Sequence, residues 1–182
     1  MTKVGIIVGS LREAAFSKQW AENIATMFPE GYETEFIDVN LPLYNEDLDE
    51  GAVPAEWTKF REAMADVDAV VFSTPEYNRS MPATIKNALD VGSRPYGESI
   101  WDGKPAMVVS HSMSGLSGFG ANHAIRQSLV FLNMPVMQQP EVYLASSQDL
   151  LDKNGKINNE GTQNFVQSTV DAFVDFSSKF IG

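Results

Sequence analysis

The chain contains no cysteine. That excludes disulfides, CxxC redox pairs, thiolate nucleophiles and cysteine-ligated clusters, and it fits a reducing compartment such as the cytoplasm. Histidine is almost as scarce: His111 and His123 are the only two. A hydrolase of the α/β type needs its histidine last and well downstream of a GxSxG serine. The nearest match, Gly115-Leu116-Ser117-Gly118-Phe119, fails at its last position. Isolated histidines of this kind read as structural or solvent-exposed. With no HExxH and no paired-carboxylate spacing, no metal site is expected. Positive charge is also in deficit, with 13 lysines and arginines against 24 aspartates and glutamates, a net charge of −11. The basic residues are scattered, so neither nucleic acid nor an anionic membrane is an expected partner; the acidic surface reads as a solubility device. No apolar run approaches the ~20 residues of a membrane span. Met1-Thr2-Lys3 leads straight into Val4–Val8, too short for a secretory segment and without a cleavage site, so a soluble, unprocessed chain is expected.

What is present is an alternation. The 182 residues suit one domain spanning 1–182, without repeats, low-complexity segments or linkers. Apolar runs at 4–8, 69–73 and 106–110 read as strands covered on both faces, 34–39 reads as a second strand, and a fifth lies within 135–144. Between and after them, helical spacing is read over 17–28, 54–65, 82–91, 121–132 and 161–179, with an acidic turn at 46–51. Trp57 and Trp101 are read as packing residues or as a border to a pocket. Five buried strands alternating with five helices predict an α/β, three-layer, doubly wound parallel sheet. Right-handed crossovers favour the flavodoxin-like strand order 2-1-3-4-5. Ligands of such sheets bind beyond the carboxyl ends of the strands, where the strand order switches.

Three loops therefore carry the functional reading. After the first strand comes Gly9-Ser10-Leu11-Arg12-Glu13-Ala14-Ala15-Phe16-Ser17. It offers two hydroxyls and a guanidinium at a helix N-terminus, a chemistry suited to phosphate. The alternative makes Ser17 an ordinary N-cap and Arg12 a solvated charge. The loop carries neither GxxxxGK[ST] nor GxGxxG, and a response-regulator receiver would need acidic residues where Gly9-Ser10 and Thr74-Pro75 stand. After the third strand, Thr74-Pro75-Glu76-Tyr77-Asn78-Arg79-Ser80-Met81-Pro82 is stiffened by two prolines. It reads either as a rigid edge for a planar ligand or as a turn in which Ser80 caps the next helix. After the fourth strand, His111 to Gly120 forms a long Gly/Ser-rich loop, either functional or a flexible connector.

Taken in order, Gly-Ser-Leu-Arg at 9–12, Pro-Glu-Tyr-Asn at 75–78 and Lys-Asn-Ala-Leu-Asp at 86–90 resemble the NADPH-dependent FMN reductases. The narrower likeness is to the branch of small quinone, azo-dye and chromate reductases, and Arg126-Gln127 with Leu129–Leu132 extends it. The resemblance implies that Ser10, Arg12 and Ser17 hold the FMN phosphate with Phe16 close by. It implies that Pro75, Glu76, Tyr77 and Asn78 line the isoalloxazine ring, and that Ser112 and Gly115 lie under its pyrimidine side. Related sequences often carry Asn in place of Ser17, and Gly-Gly-Ala-Arg in place of Ser117-Gly118-Phe119-Gly120.

The activity implied is transfer of electrons from NADPH or NADH, through FMN, to a small-molecule acceptor such as a quinone or free flavin, by a ping-pong sequence. The flavin carries that chemistry, so no side chain is assigned a catalytic role. Arg79 and Arg94 are the candidates to meet the 2′-phosphate of NADPH. The family also implies a homodimer or homotetramer. A flavodoxin-type electron carrier is the competing expectation; its Thr/Ser-rich phosphate loop does not match Ser10-Leu11-Arg12. Nothing in the sequence supports a flavin-based redox sensor.

Overall fold

The apolar runs form a five-stranded sheet in the computed structural model, which describes residues 1–181. Its strands are β1 (Thr2–Val8), β2 (Tyr32–Ile37), β3 (Ala69–Pro75), β4 (Ala106–His111) and β5 (Val142–Leu144). All pairings are parallel and the order is β2-β1-β3-β4-β5, as the alternation predicts. Every residue of β3 and β4 is buried, as expected of central strands covered on both faces.

Alternation along the strands divides the core in two. Val4 and Ile6 of β1, Val71 of β3 and Val109 of β4 pack with Trp20 and Ile24 of α1 (Phe16–Ala25) and with Val170 and Phe173 of α7 (Glu160–Ser177). Ile7, Phe72 and Val108 point the other way. They meet Trp57 and Phe60 of α3 (Ala55–Ala65), Ile85 and Leu89 of α4 (Ala83–Gly92), and Ile125 and Leu129 of α5 (Phe119–Phe131). Trp57 and Trp101 are fully buried in this second layer and belong to packing. No described helix is long and apolar enough to cross a membrane.

The helix ends differ from the periodicity for local reasons. Met27 and Phe28 share the apolar face of α1 yet lie outside it. The hydroxyl of Thr26 donates to the Asn23 carbonyl at 2.7 Å, and Met27 N–H bonds Ile24 O at 3.0 Å, closing the helix with a tight turn. The acidic turn is a short helix, α2 (Glu46–Asp49), whose first turn Asn45 caps through its side chain. A second unforeseen helix, α6 (Ser147–Leu150), is anchored by the Trp20 indole N–H donating to Ser147 Oγ at 3.0 Å. There are therefore seven helices among the described residues, not five. Strand β2 begins two residues earlier than the stretch 34–39. Ser80 caps nothing: Pro82 occupies the N-cap position of α4.

Gly92, the last residue of α4, lies against the buried Trp101. A Cβ there would stand 2.5 Å from Trp101 Nε1 and 2.8 Å from Ile100 Cδ1. Alanine gains about 1 kcal/mol over glycine in helix propensity, while forcing an extra carbon into a packed interior costs about 1–3 kcal/mol. It also disturbs the 3.1 Å bond from the Trp101 indole to Leu89 O. Gly92→Ala should therefore lower stability by about 1–2 kcal/mol in urea denaturation; an unchanged midpoint would show that Trp101 moves aside freely.

Candidate functional site

Strands β1 and β3 are neighbours, but the helices that follow them lie on opposite faces of the sheet. Their loops must diverge, which leaves a crevice at their carboxyl ends. Gly9 forms its floor. A Cβ on Gly9 would come 2.9 Å from Ile85 Cδ1 and 3.0 Å from Pro75 Cδ, so a side chain there would push the first and third loops apart.

The first side of the crevice is the start of α1. Its N-cap is Ala15, which has no side-chain acceptor, and no acidic residue lies in the first turn. The N-cap reading of Ser17 is thereby corrected: Ser17 sits two residues past the N-cap, within the first turn of the helix. Its hydroxyl is fully buried and has no hydrogen-bond partner among the described residues. Above it Arg12 is exposed and enters no ion pair among those residues. An uncapped N-terminus, an unsatisfied hydroxyl and an unpaired guanidinium together make a site for an anion.

The second side is the β3–α4 loop, a tight turn. Tyr77 and Ser80 exchange both backbone bonds at 3.0 Å, and the central pair Asn78 and Arg79 have φ of 51° and 65°. Asparagine tolerates that left-handed backbone; arginine does so at a cost. Here Arg79 pairs with Glu76 at 3.1 Å. The other oxygen of Glu76 accepts from Gly120 N at 2.7 Å and Ala121 N at 3.3 Å, at the start of α5. Glu76 thus serves as the missing N-cap of α5 and ties the third and fourth loops together. Tyr77 reaches back to the first loop, its hydroxyl donating to Ser10 Oγ at 3.1 Å.

The third side is the β4–α5 loop, which is pinned rather than a free connector. Ser110 Oγ donates to Ser117 O at 3.0 Å, and Ser112 exchanges backbone bonds with Leu144 O at 3.0 Å and Ser147 N at 3.1 Å. Gly118 turns the chain into α5 at φ 75°, where a Cβ would lie 2.9 Å from His111 O. His111 itself is 5% exposed, and neither ring nitrogen has a partner among the described residues. Phe16 meets the ring edge-on at 6.3 Å between centroids. Burial pushes its pKa down to about 4.

These three sides enclose a cleft of about 290 Å³. Of the residues singled out in the sequence, Ser10, Arg12, Phe16, Ser17, Pro75, Glu76, Tyr77 and Ser112 line it. Asn78 and Gly115 do not; both are exposed, at a turn tip and on the outer part of the fourth loop. His111 and Met113 also line the cleft, and sequence reasoning missed both. The alternation Met107, Val109, His111 along β4 was the available signal, since it aims His111 at the α1 face. A larger groove of about 360 Å³ lies between α4 and α5. Of its charged lining residues Lys86, Asp90 and Arg94, the first two pair at 2.7 Å, and it holds no buried unpartnered side-chain group among the described residues. Arg94 is remote from the cleft, over the Tyr96 ring at 5.9 Å.

The state of His111 links the cleft to stability. Below its ordinary pKa of 6.5 the unfolded chain takes up a proton that the folded chain refuses until about pH 4. Stability from this group is thus present in full above pH 6.5 and is lost as pH falls toward 4. Between pH 6.5 and 5 the loss should reach about 2 kcal/mol. Urea unfolding should show that loss, and His111→Asn should flatten it; an equal slope in both proteins would contradict the assignment.

Known proteins resemble this chain in sequence and in fold. The model of the NADPH-dependent FMN reductases matches residues 2–149. A quinone reductase of Pseudomonas putida is 48% identical over 174 residues, covering 95% of this chain and 93% of its own. A 2-hydroxy-1,4-benzoquinone reductase of a Burkholderia species is 38% identical over 172 residues, covering 94% and 93%. Among solved structures, the flavoenzyme NAD(P)H:acceptor oxidoreductase FerB of Paracoccus denitrificans superposes with a TM-score of 0.93 at 33% identity, each chain covered in full. The family match spans all five strands and all three loops, and the chain is a member of the NADPH-dependent FMN reductase family.

Proposed function

We propose that this protein is an FMN-dependent NAD(P)H oxidoreductase that reduces quinones and other small flat acceptors. The observation that carries the reading is the cleft at the switch in strand order, where Arg12, the buried Ser17 hydroxyl and the uncapped start of α1 converge. That donor set fits a phosphate, and Ser10 adds a second hydroxyl beside it. In this reading the backbone from Pro75 to Tyr77 runs along the flavin ring, with Ser112 on the opposite loop. Bound there, FMN supplies the electron transfer between NAD(P)H and the acceptor.

The side chains hold and shape the site. Glu76 is already committed to α5 and Arg79, so it stiffens the loop beside the ring. Tyr77, nearly half exposed and bonded to Ser10, forms a side wall that joins the phosphate end to the ring end. No proton-transferring side chain is required, and access for two flat molecules in turn is the demand on the site. Arg79 is tied to Glu76 yet largely exposed, which keeps it the candidate contact for the NADPH 2′-phosphate. Asn78 and Gly115 remain candidate ring contacts, exposed on the same two loops.

A second copy of the chain is the proposed partner. Tyr96, Val130 and Phe131 are 91%, 77% and 88% exposed near one another beside α5, a large apolar surface for a monomer to leave in water. Sedimentation equilibrium reads this directly, with a dimer or tetramer expected. The cytoplasm is the proposed compartment because its NAD(P)H pool supplies the donor.

The decisive test is an absorbance spectrum of purified protein, with NADPH added in the absence of oxygen. Flavin bands should bleach and return when a quinone is added. A protein that stays colourless and takes up no added FMN would overturn the reading; bands that bleach only with dithionite would replace it with an electron carrier. Arg12→Ala should weaken FMN binding by about 1–3 kcal/mol, measured by quenching of flavin fluorescence.

A further inference from the structure

His111 has no role in the fold that explains its chemistry. It stands at the carboxyl end of β4, where Met107 and Val109 on the same face are ordinary core residues. A hydrophobic side chain would suit that environment. Instead a buried imidazole lies there with both nitrogens unpartnered among the described residues. Among the described residues the only other such group is the Ser17 hydroxyl, and Ser17 lines the same cleft. Two residues with buried polar groups that satisfy nothing within the protein line one opening, where a ligand could supply the missing partner.

The charges around the ring narrow the ligand. The first loop contributes Arg12 to the cleft, and the third contributes Glu76 and Tyr77. The Glu76 carboxylate is held by Arg79 and the start of α5. From α1 the neighbours are Phe16 and Ser17, and from β5 the residue in register is Leu144, all uncharged. Among the described residues no uncommitted carboxylate lines the cleft, so the ring remains neutral until an anion arrives from outside.

We propose that His111 is a further cofactor ligand: on binding of a phosphorylated flavin it takes a proton from solvent and pairs, as imidazolium, with the phosphate. The proposal rests on the flavin reading above. It makes phosphorylation of the ligand a condition of the change, so FMN and riboflavin should act differently on this residue. A dianion facing the ring reverses the balance that burial sets. In the loaded protein the ring is charged near neutral pH, and the acid sensitivity of the free protein is lost.

The chain has two histidines, so the test needs no variant at the site. Proton NMR of the histidine ring C–H groups gives two signals, and His123→Ala tells them apart. With FMN bound, the titration midpoint of His111 should rise by about 1–3 pH units. With riboflavin bound it should stay depressed. As a second measurement, His111→Asn should weaken FMN at pH 6 by about tenfold or more while leaving riboflavin nearly unchanged, in line with loss of a charged hydrogen bond. If FMN quenches and binds but the His111 midpoint does not move, or moves equally with riboflavin, the proposal fails and the flavin reading stands. If neither flavin binds, both fail.

Discussion

Two adjacent parallel strands whose helices leave on opposite faces cannot close the space between their loops. In this protein that constraint falls on β1 and β3, with α1 against one layer of the core and α4 against the other. Everything at the candidate site follows from the opening so created. The strands are buried and rigid, the loops begin at fixed heights above them, and Gly9 lets the first and third loops approach without a side chain between them. The core then has little freedom to widen or close the cleft, because both faces of the sheet are packed by tryptophan and aliphatic side chains.

Within the opening, the electrostatics run against the rest of the molecule. The chain carries a net charge of −11, yet the cleft concentrates an unpaired arginine, an uncapped helix start and two unsatisfied buried polar side chains. The one carboxylate lining it is removed from play by Arg79 and by the backbone of α5. A local anion site in an acidic protein favours a ligand held by directed hydrogen bonds over one drawn in by the overall field. Folding bears the expense of leaving those groups unpaired, and a bound phosphate recovers it.

The centre of the sheet was legible because β1, β3 and β4 are built on apolar runs, as burial on both faces requires, whereas β2 is an edge strand with a mostly polar, half-buried sequence. Strand positions and order followed from that and from the handedness of crossovers. The phosphate side of the site was legible too, since Ser10, Arg12 and Ser17 are close in sequence and at a strand-to-helix junction. What escaped the sequence depends on contacts between distant segments. Glu76 caps a helix 44 residues away, a pairing no local pattern records. Helix α6 exists because Trp20 reaches Ser147 across the fold, and the start of α5 depends on Glu76. His111 was passed over as a lone histidine, because its meaning lies in what surrounds it. Asn78 and Gly115 were included by resemblance alone, and both are exposed beside the cleft-lining residues of their loops.

A crystal structure with FMN bound tests the central claim most directly. The phosphate should lie within about 3.2 Å of Ser17 Oγ and of the Arg12 guanidinium, at the start of α1, with the ring between the third and fourth loops. Flavin in the groove between α4 and α5, or a phosphate out of reach of both Ser17 and Arg12, would contradict it.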